Sequence, residues 1–307
     1  MNILHVGLCV DGKNEGLPHA LNKISDVYAE MRPEPQKVLR AVRDMQSVNY
    51  PFDIAFFQIQ APNVIETEVF LILKKMGVFT INWSGDIRNN TEMWYYQTGA
   101  DLTLFTNTRD VQNIREAGLN ADFLQIGIDP LVFKEHSLEN EGFDVVYMGN
   151  NYRNQFPEGH ARVNMVHMLR NRYKNRFGLY GNGWNLGNHE NNSNQLDQAY
   201  IYNNSKIAIN HSQFNEVRYT SDRLFRILGS GCFCLSHHYK GIEQDFVIGK
   251  HLDTYHNLKE LQEKIDYYLA HEKERDEIMN NAYDYCHNTF TYDHMIKNLI
   301  ELYKKYR

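Results

Sequence analysis

Short apolar runs alternate with amphipathic stretches through the first two-fifths of the chain. The two spacings predict strands interleaved with helices. Strands are expected over 3–10, 52–57, 78–83, 102–106 and 121–125. A helix is expected over 17–31 and a second, beyond Pro33 and Pro35, through Val38, Val42 and Met45. Others follow over 64–75, closed by Gly77, over 92–98, and over 108–117, closed by Gly118. The rhythm breaks over 129–142, which carries Asp129-Pro130 and a run of charges, and a linker is placed there. It resumes with a strand at 143–148, a helix at 160–173 and a strand at 176–180. A polar loop, a helix at 196–203 and a strand at 206–210 come next. Helices over 258–270, 272–288 and 292–306 close the chain. Such alternation calls for an α/β protein with largely parallel sheets covered by helices.

The chain has 307 residues, room for two domains by the usual length prior, and 42% of them are hydrophobic, enough for packed cores. The net charge of −6 argues against a protein that coats a polyanion by bulk charge. One local exception is the stretch Arg153, Arg162, Arg170, Arg172, Lys174 and Arg176, where Glu158 is the sole acid. It reads either as a solvated helix face or as a phosphate-facing patch. The four cysteines, Cys9, Cys232, Cys234 and Cys286, show no metal-ligand pairing and suit a reducing compartment. The first residues, Met1-Asn2-Ile3-Leu4-His5-Val6, read as a strand start rather than a secretory leader. No run approaches the ~20 apolar residues of a membrane span. A cytoplasmic protein is the expectation.

Candidate chemistry collects where strands are expected to end. The segment 219–234, YTSDRLFRILGSGCFC, joins Thr220, Ser221 and Arg223 to a helix start, and Gly231 closes that helix. Unpaired N–H groups at a helix start, with hydroxyls and a guanidinium, can hold a phosphate; the same residues also make an ordinary capped helix. Gly149-Asn150-Asn151-Tyr152-Arg153 follows a strand and offers close backbone approach, amides and a guanidinium; it also reads as an Asn-rich turn.

The order Asn210, His211, Arg223, Phe225, Gly231, Gly241 and Glu243, with Tyr180-Gly181-Asn182-Gly183-Trp184 upstream, resembles the group-1 glycosyltransferases of the GT-B fold. Within them it is most similar to the CgeB-like, spore-maturation branch, and most clearly from about Val145 onward. The resemblance implies two Rossmann-like domains facing a cleft, with C-terminal helices. The first, over 1–130, would take the acceptor, and the second, over 131–290, the nucleotide sugar. A last helix over 291–307 would cross back to the first. UDP-sugar is the implied co-substrate, with no further cofactor. Donor contacts are expected from Gly149, Asn150, Arg153, Tyr180, Gly181, Trp184, Asn210, His211, Ser221, Arg223 and Glu243. Trp184 would cover the base or stand as a core ring capping a turn, and Glu243 would accept from hydroxyls. Gly7, Gly12 and Gly16 belong to an acceptor-side loop. Asp86 would act as base toward the acceptor hydroxyl or cap a helix, and Asp11 is the other candidate.

No Asp-x-Asp pair is present, so no metal site is expected, and Arg153, Arg223 and the helix dipole would balance the diphosphate. The resemblance favours a retaining transfer. The acceptor could be a glycan, a small molecule, a protein or a hydroxymethylated DNA base, the last through the Arg153–Arg176 stretch. One departure stands out. Where many relatives carry two glutamates eight positions apart, this chain has Arg218 and Arg226. Either Glu243 or Glu216 replaces them, or the donor differs. A non-catalytic sugar-nucleotide binder or assembly protein, and an epimerase or phosphorylase on the same scaffold, are the alternatives.

Overall fold

The computed structural model describes residues 1–7, 16–60, 64–87, 99–136, 142–186 and 194–307. These fall into two compact units, 1–127 together with 292–307, and 128–291.

The first unit runs β1 (Asn2–Gly7), α1 (Leu17–Lys23), β2 (Val27–Met31), α2 (Pro35–Ser47), β3 (Ile54–Gln58), α3 (Thr67–Lys75), β4 (Phe79–Ser84), β5 (Leu102–Phe105), α4 (Thr108–Glu116) and β6 (Ala121–Phe123). All its strand pairs are parallel, in the order β2-β1-β3-β4-β5-β6. Strand alternation sends Leu4, Val6, Ala55 and Phe57 into one core and Ile3, Ile54, Phe56 and Ile81 into another, on opposite faces of the sheet.

The expected helix over 17–31 is corrected. It stops at Lys23, and 27–31 is an edge strand paired with β1. Leu17, Ala20 and Leu21 keep the helical spacing, but Ile24 falls on the exposed side and the chain turns there. The Asp26 N–H then donates to the Met1 carbonyl at 2.9 Å, which sets the strand register. The helix expected over 92–98 lies outside the described residues.

The second unit runs β7 (Val145–Met148), α5 (Gly159–Tyr173), β8 (Phe177–Tyr180), α6 (Gln195–Asn203), β9 (Ile207–Asn210), α7 (Asp222–Gly229), β10 (Phe233–His237), β11 (Asp253–Tyr255), α8 (Leu258–Ala270) and α9 (Glu272–Thr289). Its sheet is also parallel, in the order β11-β10-β9-β7-β8. The last helix, α10 (Tyr292–Tyr306), belongs to the first unit. It buries Met295, Ile296, Leu299 and Tyr303 in the core that holds Ile3 and Leu21.

Numbered within its own unit, each sheet follows the same doubly wound order, 2-1-3-4-5, and the first adds a sixth strand. In such a sheet the chain leaves its first and third strands in opposite directions. The loops beyond their carboxyl ends part and leave a crevice. Those strands are β1 and β3 in the first unit and β7 and β9 in the second.

Candidate functional site

In the second unit the crevice is walled by residues that lock the loops after β7 and β8 together. The Gly149 N–H donates to the Tyr180 carbonyl at 2.8 Å, and the Asn151 N–H donates to the Asn182 carbonyl at 2.8 Å. Asn150 Oδ1 accepts from the Asn182 N–H at 2.9 Å. Gly181 is needed for this approach: its φ is 126°, and a Cβ there would stand 2.4 Å from the Gly149 oxygen. Of the two readings of Trp184, the structure has the core ring and not the base cover. It is buried against Tyr147, and its indole N–H donates to the Gly149 carbonyl at 2.7 Å.

Two guanidiniums converge on this loop. A Cβ at Gly149 would lie 2.7 Å from Arg223 Nη2 and 2.8 Å from Arg162 Nη2, so glycine lets both cations pack directly against the loop. Arg162 is buried at 2% exposure. It donates from Nε to the Tyr147 hydroxyl at 2.6 Å and from Nη2 to the Asn150 carbonyl at 3.1 Å. Burial, chiefly, lowers its pKa below that of a free guanidinium. Arg223 donates from Nε to the Met148 carbonyl and from Nη1 to the His211 carbonyl at 3.1 Å and to Ser221 Oγ at 3.3 Å. Both cations lie over the Tyr147 ring, 5.6 and 5.2 Å from its centroid. Among the described residues neither has a carboxylate partner.

The expectation that Arg223 simply grips phosphate is refined: one edge of it clips the ends of β7 and β9 together, and Nη2 is left toward Gly149. Beside it, α7 begins at Ser221 with no side-chain cap on its first N–H groups.

Asn210 ends β9. Its amide donates to Thr220 Oγ1 at 3.1 Å and Ser236 Oγ at 3.0 Å, tying the loop before α7 to β10, while its Oδ1 has no partner among the described residues. His211 is buried between Tyr255, whose hydroxyl is 3.0 Å from Nδ1, and Glu158, whose carboxylate is 3.1 Å from Nε2. Its ring stacks on His237 with centroids 4.1 Å apart. Burial pushes the His211 pKa down to about 4, and the hydrogen bond to His211 holds Glu158 below the usual carboxylate range.

The other expected donor residues stand further out. Arg153 is exposed with φ 53°, and its carbonyl fills the space beside Gly159. Glu243 sits in a short turn after Gly241, mostly exposed, 3.4 Å from His238. Arg218 and Arg226, in the places where glutamates were expected, are spent internally. Arg218 holds Asp245 with two bonds of 3.0 and 2.7 Å, and Arg226 pairs with Asp222 and donates to Gln198 at 2.8 Å.

The Arg153–Arg176 stretch is mixed, with Arg153 and Lys174 exposed. Arg162 is buried, Arg172 pairs with Asp266 and Arg176 with Asp144.

Sequence reasoning missed Arg162, Tyr147, Glu158, His237 and Tyr255. Arg162 left a readable signal. With Met165, Val166, Leu169 and Tyr173 it lies on the buried face of α5, and an arginine on an apolar face needs a reason.

In the first unit, Gly7 ends β1 opposite Gln58, and Gly16, with φ 59°, precedes α1. Asp11 and Gly12 lie outside the described residues. Asp86 is exposed two residues beyond β4, and its carbonyl accepts from Ser84 Oγ at 3.1 Å. With the Gln60 amide turned so that its oxygen accepts from the Gly85 N–H at 3.0 Å, its nitrogen donates to Asp86 Oδ2 at 2.7 Å.

Residues 161–301 match a family model described as "Glycosyl transferase-like". No curated protein matches the sequence significantly. Among solved structures, Anabaena Alr3699/HepE in complex with UDP and glucose is similar over 99% of this chain and 100% of its own, with a TM-score of 0.65 at 11% identity. A glycosyltransferase from Rickettsia africae is similar over 99% and 98%, with a TM-score of 0.66 at 13% identity. Sucrose-phosphate synthase from Thermosynechococcus elongatus gives 0.66 at 10% identity over 99% of each chain. At these identities the likeness is one of fold, and the fold is that of the GT-B glycosyltransferases.

Proposed function

We propose that this protein transfers a sugar from a nucleoside diphosphate sugar, UDP-sugar first among them, to an acceptor hydroxyl. The observation that carries the reading is the pair Arg162 and Arg223. Their guanidiniums converge on Gly149, at the carboxyl end of β7, with no carboxylate ion-paired to either among the described residues. Two such cations beside an uncapped helix start favour a dianionic group. The solved complexes of the Anabaena protein with UDP and with UDP-glucose support a uridine donor. Gly149, Asn150, Tyr180, Gly181, Asn210, His211 and Ser221 would line or brace that donor site, with Arg153 and Glu243 at its margin.

On this reading the arginines balance the leaving diphosphate, so transfer proceeds without added Mg²⁺ or Mn²⁺; the family resemblance favours retention at the anomeric carbon. Asp86, and behind it Asp11 with the Gly7–Gly16 loop, would serve the acceptor. A glycan or a small molecule fits better than DNA, because Arg162, Arg172 and Arg176 of the basic stretch are already buried or paired. The test is a panel of nucleotide sugars, scored first for raised thermal stability and then for release of the nucleoside diphosphate with acceptors present. Binding followed by turnover supports the transferase. Binding without turnover supports the non-catalytic reading, and interconversion of the sugar supports the epimerase.

A further inference from the structure

At the carboxyl end of β9 and β10, Glu158, His211 and His237 each turn one potential ligand atom toward the others, all within 4.8 Å. Ligand atoms on a tetrahedral Zn²⁺ at 2.0–2.1 Å lie about 3.4 Å apart. Glu158 Oε2 and His211 Nε2 are already 3.1 Å apart. We propose that these three residues form a binding site for a divalent transition metal of the Zn²⁺ class, with a fourth position left for water or an anion.

The hydrogen bonding around His211 is arranged for this. The Tyr255 hydroxyl lies 3.0 Å from His211 Nδ1 and 3.3 Å from Met165 Sδ. With its proton toward the sulfur, its oxygen accepts from Nδ1–H. Nε2 then carries a lone pair aimed at a carboxylate oxygen, an arrangement that needs a cation between the two. Without metal, the proton sits on Nε2 and donates to Glu158, and Tyr255 donates to Nδ1. Moving one proton and turning one hydroxyl therefore converts the hydrogen-bonded form into the ligating form. A buried partner on the second ring nitrogen is the usual device for fixing a metal-bound imidazole.

His237 adds the third ligand. Among the described residues its ring nitrogens have no hydrogen-bond partner, and its ring is held by stacking on His211. Glu158 stands at the start of α5 without capping it, and its carboxylate already faces His211 Nε2. The three come from the start of α5, the loop after β9 and the end of β10, so a metal would clip the elements that carry Arg162 and the His211 carbonyl. The proposal does not depend on the transferase reading.

The test uses Co²⁺ as a spectroscopic stand-in, titrated into the whole chain after chelator treatment and dialysis. The expected result is one equivalent bound with the intense visible bands of a low-coordinate ion. His237→Ala and Glu158→Gln should each lose those bands or weaken binding at least tenfold. Tyr255→Phe, which keeps the ring and removes the hydroxyl, should weaken it by roughly 10- to 100-fold. Circular dichroism identifies which variants fold, and any one folded variant suffices. A folded wild type without such bands would overturn the site, as would folded variants that bind Co²⁺ like the wild type.

Discussion

At the carboxyl edge of the second sheet, Gly149, Gly181 and Trp184 stitch two loops together and two arginines stand fixed behind them. At the same edge of the first sheet, Asp86 is exposed, held by Ser84 and Gln60. The two sheets share one strand order, so topology does not make this difference. On the proposed function, what differs is what each edge must bind. A diphosphate is a fixed, doubly charged shape, and preorganised cations meet it best. An acceptor hydroxyl is small and neutral, and one positioned carboxylate is enough to orient it. The proposed function puts donor chemistry at the edge of the second sheet and acceptor chemistry at that of the first.

The sharpest way to break that assignment is Asp86→Asn, which keeps the size and removes the charge. UDP affinity should stay near that of wild type while transfer falls on the order of 10²-fold or more. Wild-type turnover would reduce Asp86 to a loop residue and move attention to Asp11. Lost UDP binding would put Asp86 on the donor side and reverse the comparison. A smaller effect is expected from Trp184→Phe, which removes the indole donor from the Gly149 carbonyl. Stability should drop by about 1 kcal/mol, read from denaturant unfolding, with the nucleotide site weakened only indirectly. If the tryptophan covered the base instead, affinity would fall and stability would not.

The last is a slope rather than a step, and it concerns the first sheet. His5 is buried between Tyr28 and Gln58, at 3.0 and 2.7 Å, and burial lowers its pKa. The unfolded chain therefore binds the His5 proton more readily. This contribution to stability is present above a pH of about 6.5 and is lost as the pH falls below it. Thermal unfolding of His5→Gln should show a shallower acid limb than wild type; equal limbs would mean that His5 titrates freely.

Much of this fold was legible because it rests on local spacing. Apolar runs of four to six residues gave nearly every described strand, and glycines closed α3 and α4 where expected. The break at Lys23 was not legible, because 27–31 becomes a strand only by pairing with β1, a contact remote in sequence. The site divides the same way. Gly149, Gly181 and the Ser221–Arg223 helix start declared themselves through residue type and position. Glu158, His237 and Tyr255 did not, since they meet His211 only when a helix start and three strand ends come together. Arg162 was read as one charge in a basic run, although its place among Met165, Val166 and Leu169 already marked a buried guanidinium.

The central claim is that a nucleoside diphosphate is held by the second unit through the paired guanidiniums, and calorimetric titration of UDP tests it most directly. Arg162→Met fills the same buried space without charge. One charge-assisted contact is worth roughly 1.5–3 kcal/mol, so the account predicts that UDP binds the wild type and binds the folded variant about 10- to 100-fold more weakly. No UDP binding by the wild type, or equal affinity in the two proteins, would contradict it.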